Sequence, residues 1–239
     1  MKLFNKKHDK KMDKYAGYNP ASTGREMQQF VDWIKEWSRL EVHNIMEIGA
    51  NFAQNADYLA RQFGVSDDNV WVFEARPQIC DAIKKIHKFN AFNYAVFNKE
   101  QQLEFNAIDI NTAKNTGVSS LLTDNTANEA TIKVKVQTIR MDKFLEEHNI
   151  KEVDFLKLDA EGCNFEVLEG FGKRLNDVKA IHIEAEHVHY AYKQNVLFPK
   201  IEELLKKFGF EMIYFQRYTS QSDSFWVKKE YIKNYRLEK

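Results

Sequence analysis

The sequence has little of several things, and each shortage excludes a class of protein. No run approaches the ~20 consecutive apolar residues that a membrane-spanning helix needs, so no membrane partner is expected. The basic start from Met1 to Lys11 lacks the apolar stretch that follows the charged region of a signal peptide, and the expected location is cytoplasmic. Only two cysteines occur, Cys80 and Cys163, in different expected elements and in no Cys-x-x-Cys or zinc-finger spacing. They read as reduced thiols. Neither charge is in excess, since 35 lysines and arginines balance 35 aspartates and glutamates. Without a global positive field, a nucleic-acid partner is disfavoured, a local basic groove aside.

What is present is ordinary globular material, 44% hydrophobic and 29% charged over 239 residues, enough for one domain with a substantial core. Residues 1–24 are polar, contain Gly17, Pro20 and Gly24, and read as a flexible arm ahead of a single domain over 25–239. From Arg25 to Leu40 the apolar positions Met27, Phe30, Val31, Ile34 and Trp37 recur mostly at spacings of three and four, which predicts an amphipathic helix.

Beyond it, short apolar runs alternate with helical periodicity, the pattern of repeated β-α units on a parallel sheet. Strands are expected at Asn44–Ile48, Val70–Phe73, Phe92–Val96, Phe155–Leu158 and Ala180–Ile183. Helices are expected at Ala53–Phe63, Pro77–Lys88, Met141–His148, Asn164–Leu175 and Val196–Phe208. Leu103–Ile108 and Thr131–Thr138 alternate apolar and polar residues instead, as half-exposed strands do, and flank a polar segment from Asp109 to Ala130 that reads as a substrate-facing loop. Phe210–Phe215 and Ser224–Val227 are joined too briefly for a helical crossover, so the last strand should run antiparallel to its neighbour.

Ligands of open α/β sheets bind beyond the carboxyl ends of the strands, and three such ends carry informative residues. The first ends in Glu47-Ile48-Gly49-Ala50-Asn51 and runs straight into a helix, whose N-terminal N–H groups suit an anionic group. Asn51 and Ala53 occupy places where a dinucleotide fingerprint would carry further glycines, so a pyrophosphate is poorly supported. The second ends in Phe73-Glu74-Ala75-Arg76-Pro77, and a carboxylate there can accept both hydroxyls of a ribose. A third strand delivers Lys157-Leu158-Asp159-Ala160-Glu161-Gly162 to the same edge, where carboxylates can orient a cation or remove a proton.

These segments, with Asn93-Tyr94-Ala95-Val96, Val167-Leu168, Gly170 and Thr138-Ile139-Arg140-Met141-Asp142, resemble the FkbM family of S-adenosylmethionine-dependent methyltransferases over roughly residues 44–228. The resemblance implies a Rossmann-like class I methyltransferase fold: a mostly parallel seven-stranded sheet with an antiparallel C-terminal strand and helices on both faces. The implied cofactor is S-adenosyl-L-methionine, with Gly49, Ala50 and Asn51 at its methionine end, Glu74 on the ribose and Asn93 to Ala95 near the adenine. Glu47, Ala75 and Asp159 complete the cofactor set. The implied reaction is O-methylation of a small-molecule or glycan acceptor. Two departures stand out: Ala53 replaces a glycine usual in the first turn, and Asn164 replaces a glutamate usual after Glu-Gly-x.

An alcohol acceptor must lose a proton near the transition state, and the candidate catalytic groups are Asp159, Glu161 and His187. Glu186, His187 and His189 could join Asp159 around a metal ion, but without compact ligand spacing no metal is expected. Tyr15, Tyr18, Tyr190 and Tyr192 are candidates for lining an acceptor pocket. Three alternatives remain open at this point: an RNA ribose methyltransferase, a nicotinamide-dependent oxidoreductase and a non-catalytic cofactor-binding module. Oligomeric state is not legible.

Overall fold

A computed structural model of the chain describes residues 25–109, 119–122, 131–189 and 195–233. The expected arm over 1–24, most of the loop between Asp109 and Ala130, and all four tyrosines proposed for an acceptor pocket lie outside the described residues.

In chain order the regular elements are α1 (Arg25–Trp37), β1 (Ile45–Ile48), α2 (Gln54–Phe63), β2 (Val70–Phe73), α3 (Pro77–Ile86), β3 (Asn90–Phe92), β4 (Ala95–Val96), β5 (Gln102–Ile108), β6 (Thr131–Ile139) and α4 (Met141–Glu147). They continue with β7 (Val153–Leu158), α5 (Asn164–Phe171), β8 (Val178–Glu186), α6 (Phe198–Lys207), β9 (Phe210–Arg217) and β10 (Gln221–Lys228). Seven strands form the main sheet in the order β3-β2-β1-β7-β8-β10-β9, and β4, β6 and β5 form a small second sheet. All pairings from β3 through to β8 are parallel, whereas β10 is antiparallel to both of its neighbours. This is the expected α/β architecture, including the reversed strand near the end.

Alternation along the strands sorts the core into two layers. Ile45, Phe155 and Ala180 point to the face covered by α1, α2 and α3, together with Phe225 of β10. Met46, Leu156, Leu158, Ile181 and Ile183 point to the opposite face, under α4, α5 and α6. Because both faces are covered, β1 and β7 are buried along their whole length. Among the described residues no helix is long and apolar enough to cross a membrane.

One expected strand is corrected. Phe92–Val96 is broken at Asn93, whose side-chain amide donates to the carbonyls of Glu74 and Ala75, both at 2.9 Å. Those acceptors hold the chain away from the ladder, so Asn90–Phe92 completes the main sheet while Ala95–Val96 pairs with β6. The small sheet then packs Phe105, Ala107 and Val136 against Ala75 and Leu121, over the carboxyl edge of the main one.

Candidate functional site

The carboxyl ends of β1, β2 and β7 border a cavity of about 540 Å³, open to solvent on one side. Gly49, Asn51, Glu74 and Asp159 form one wall, and Ala95, Phe105 and Leu121 form the wall supplied by the small sheet.

The turn after β1 is built by left-handed backbone. Gly49 has φ +75°, and a Cβ there would lie 1.8 Å from the Asp159 carbonyl oxygen, so only glycine lets β1 and β7 finish side by side. The N–H groups of Gly49 and Ala50 both donate to the Phe73 carbonyl, at 3.1 and 3.0 Å, which pins the turn to β2. Ala53 itself adopts φ 56°, ψ 34°, the conformation for which a glycine was expected. The departure therefore preserves the turn, at a cost of roughly 1–2 kcal/mol for an L-residue in that region. Glu47 does not line the cavity. Fully enclosed behind the turn, its Oε2 accepts the Ala56 N–H at 2.9 Å and so occupies a first-turn donor of α2.

Glu74 does face the cavity, and its neighbours were not foreseen. Its Oε2 accepts the Asn51 N–H at 2.9 Å, while Oε1 accepts the backbone N–H and the Nε–H of Arg76 at 2.8 and 3.3 Å. Arg76 also donates from Nη2 to Asn51 Oδ1 at 3.0 Å. A carboxylate offers about four acceptor directions, so this buried triangle leaves Glu74 roughly one for a ligand hydroxyl. Ala75 and Ala95 line the cavity as expected; Ala50 and Asn93 stand behind its wall.

At the end of β7, Asp159 and Glu161 both border the cavity. Glu161 sits at φ 40°, and its carbonyl accepts the Ser120 hydroxyl at 2.6 Å, which ties the small sheet to the motif. Asn164 spans two strand ends: its Oδ1 accepts the Ala160 N–H at 2.7 Å and its amide donates to the Glu184 carbonyl at 2.5 Å. A glutamate could not make the second bond, since an ionised carboxylate has no donor.

Sequence reasoning missed Glu184, whose carboxylate lies within 4.8 Å of those of Asp159 and Glu161. Alternation puts Glu184 on the face of His182 two residues earlier, but only the register between β7 and β8 sets that face beside Lys157. That trio has the spacing of a cation site, but it differs from the sequence candidates Glu186, His187 and His189. His187 does not line the cavity either. Its ring packs 5.0 Å from Phe198 and 5.7 Å from Phe215, on the side toward α6. His189 instead meets Asn195 Oδ1 at 2.6 Å.

Beneath the cavity runs a buried charged row. In register, Glu47 of β1 faces Lys157 of β7, which faces His182 of β8, and Glu184 of β8 faces Asp223 of β10. Lys157 pairs with Asp159 at 3.1 Å and His182 Nε2 with Asp223 Oδ1 at 2.7 Å. Burial pushes the Glu47 carboxyl up to about 7, partly offset by Lys157. Burial and the charge of Asp159 push Glu184 up to about 9, again against Lys157. Burial and the Lys157 charge lower His182 to about 4, despite its bond to Asp223. Near neutral pH, Glu184 is therefore a protonated acid and His182 a neutral ring.

The family model described as the methyltransferase FkbM domain matches residues 47–212. Among solved structures, the chain is similar to the methyltransferase FkbM from Methylobacillus flagellatus KT, at 10% identity and a TM-score of 0.50 over 81% of this chain and 50% of that one. It is also similar to M. capricolum TrmK in complex with S-adenosyl-homocysteine, at 12% identity and a TM-score of 0.45 over 90% of this chain and 72% of that one. A third is precorrin-6y C5,15-methyltransferase from Geobacter metallireducens GS-15, at 13% identity and a TM-score of 0.45 over 90% of this chain and 94% of that one. Likenesses this remote in sequence concern the fold alone, and the chain spans half the length of the first of the three. No curated protein sequence matches it.

Proposed function

The chain belongs to the FkbM methyltransferase family, and we propose that it moves a methyl group from S-adenosylmethionine to a hydroxyl oxygen on a sugar or other small molecule. The observation that carries this reading is Glu74 at the end of β2, facing the same cavity as the Gly49 turn and keeping one acceptor direction unused. A ribose hydroxyl fits that vacancy.

The other residues fit an adenosyl cofactor as well. Ala75 and Ala95 give a low wall on which an adenine can lie, with Asn93 bracing the backbone behind it. Gly49, Ala50 and Asn51 would flank the methionine end, and Glu47 fixes the start of α2 that supports them. When bound, the cofactor supplies a methyl group already activated on a sulfonium, so the protein's task is alignment and exclusion of water. The small sheet closes the adenine side, through Phe105 and Leu121, and leaves Asp159 and Glu161 at the other end. There Asp159 would also meet the methionine end of the cofactor, and the two carboxylates would orient the acceptor and take up the proton its hydroxyl releases. His187, turned toward α6, contributes nothing direct to this reading.

The same carboxylates weigh against an RNA acceptor, since phosphates would meet Asp159 and Glu161 together. A nicotinamide enzyme is disfavoured by the turn, which offers one glycine where a pyrophosphate site uses three. The reading is tested by calorimetric titration with S-adenosylhomocysteine and sinefungin, followed by transfer of labelled methyl to a panel of hydroxylated acceptors. Binding of both compounds and label lost with the deoxy acceptors are expected. Absence of heat with either compound would overturn the cofactor assignment, and equal labelling of deoxy acceptors would overturn O-methylation.

A further inference from the structure

We propose that Lys157 is a positioning residue for methyl transfer: its enclosed ammonium anchors Asp159 at the cavity edge and balances the acids that converge on it from four strands. The role in transfer rests on the methyltransferase reading, whereas the charge balance does not.

Lys157 is only 3% exposed, in the middle strand of the sheet. Its own face carries Phe155 two residues earlier and Ala180 on the neighbouring strand. Burying an ammonium costs several kcal/mol, and replacing a buried ion pair by apolar residues of similar volume is often neutral or stabilising. Packing therefore gives no reason for a lysine here.

Its surroundings do. Among the described residues, the titratable groups around Lys157 are Glu47 from β1, Asp159 from the end of its own strand, His182 and Glu184 from β8, and Asp223 from β10. Glu47, Asp159 and Asp223 thus share a single ammonium, beside a protonated Glu184 and a neutral imidazole. Burial alone would drive the lysine down, yet these acids, led by Asp159, hold it above its ordinary value. It is a lasting positive charge.

Asp159 depends on it most directly. The Nζ to Oδ2 bond of 3.1 Å is the contact that fixes this carboxylate, while Oδ1 is enclosed with no partner. Because Asp159 lines the cavity, its orientation reaches whatever lies there. Without the ammonium, a carboxylate held by nothing on either oxygen would turn or take a proton.

The test uses the full chain as Lys157→Met, Lys157→Arg and the double variant Lys157→Met/Glu47→Gln, whose buried charge is balanced again if the single variant folds poorly. Carbon-13 NMR titration of the side-chain carboxyls between pH 5 and 9 reads the protonation, and calorimetry with S-adenosylhomocysteine at pH 6 and 8 reads the site. In Lys157→Met, about one more carboxyl should be protonated at pH 7, with affinity down by about tenfold or more and newly pH-dependent. Lys157→Arg should restore most of both, and the double variant should fold yet keep the weakened binding. Unchanged carboxyl titration and affinity in a folded methionine variant would overturn the proposal. A wild-type chain that ignores S-adenosylhomocysteine would remove the role in transfer and with it the methyltransferase reading, even if the carboxyls shift as expected.

Discussion

Removing Glu74 should do two different things, and separating them decides whether this carboxylate holds a ligand or only a neighbour. Glu74 and Arg76 are 5% and 3% exposed, and Arg76 Nη1 is already without a partner. In Glu74→Ala the guanidinium would keep only its bond to Asn51 Oδ1, and stranding one member of a buried pair costs about 3–5 kcal/mol. Against a typical total stability of roughly 5–15 kcal/mol, that loss alone could empty the cavity by loosening the fold. The double variant Glu74→Ala/Arg76→Met removes both charges, so urea unfolding should show it recovering about 2–3 kcal/mol relative to the sum of the single changes. Affinity should not recover. A ribose hydroxyl bonded to a carboxylate is worth about 1.5–3 kcal/mol, so S-adenosylhomocysteine should bind roughly 10- to 100-fold more weakly to both variants. If the double variant regained wild-type affinity in calorimetry, Glu74 would act only through Arg76, and its assignment to the ribose would be wrong.

Three further outcomes are expected. The Glu47 carboxyl titrates at about 7 in the fold against 4.5 when free, so the native state binds the extra proton between those values and loses stability as pH rises through them. Glu47→Gln should accordingly gain on the wild type by up to about 3 kcal/mol between pH 4.5 and 7 and no further above, as read by urea unfolding; a flat difference would refute the burial argument. Gly49→Ala should lower the melting temperature sharply, because its methyl would meet the Asp159 carbonyl as well as an unfavourable φ, and a variant within one or two degrees of wild type would contradict the turn described. Both thiols are buried, and burial pushes each one up, so native protein should resist Ellman's reagent at pH 8 until denaturant exposes Cys80 and Cys163. Prompt labelling of either would show an opening to which this packing gives no route.

Much of the fold is legible in the sequence because the central strands are buried on both faces. Phe155-Leu156-Lys157-Leu158 reads as a strand, which the fold begins two residues earlier at Val153, and the acids just beyond it fall at the edge where such sheets bind ligands. What stayed hidden depended on contacts between distant segments. Nothing local marks the break at Asn93, whose amide finds carbonyls 19 and 18 residues earlier. His187 was chosen for its residue type, but one step of parity sets it with Ile183 and Ala185 toward α6, while Glu184 takes the face of Lys157. That pairing depends on the register between β7 and β8, which alternation within one strand does not specify. Arg76 carries no role in the sequence reading, and only the fold shows it closing a ring with Glu74 and Asn51.

The reversed strand near the end contributes more than a signature of the fold. The parallel strands β1, β2, β7 and β8 bring their carboxyl ends to one edge of the sheet and leave through loops toward the next helix. Because β10 runs the other way, it brings its beginning to that edge, directly after the tight turn that follows Arg217. Ser220 thereby accepts the His187 N–H at 2.7 Å, and Asp223 reaches His182 at 2.7 Å. A strand start can continue inward as core, as Phe225, Trp226 and Val227 do, so the sheet gains an acid at its functional edge without giving up packing beneath it. The hairpin thus helps build the charged row on which Lys157 is balanced.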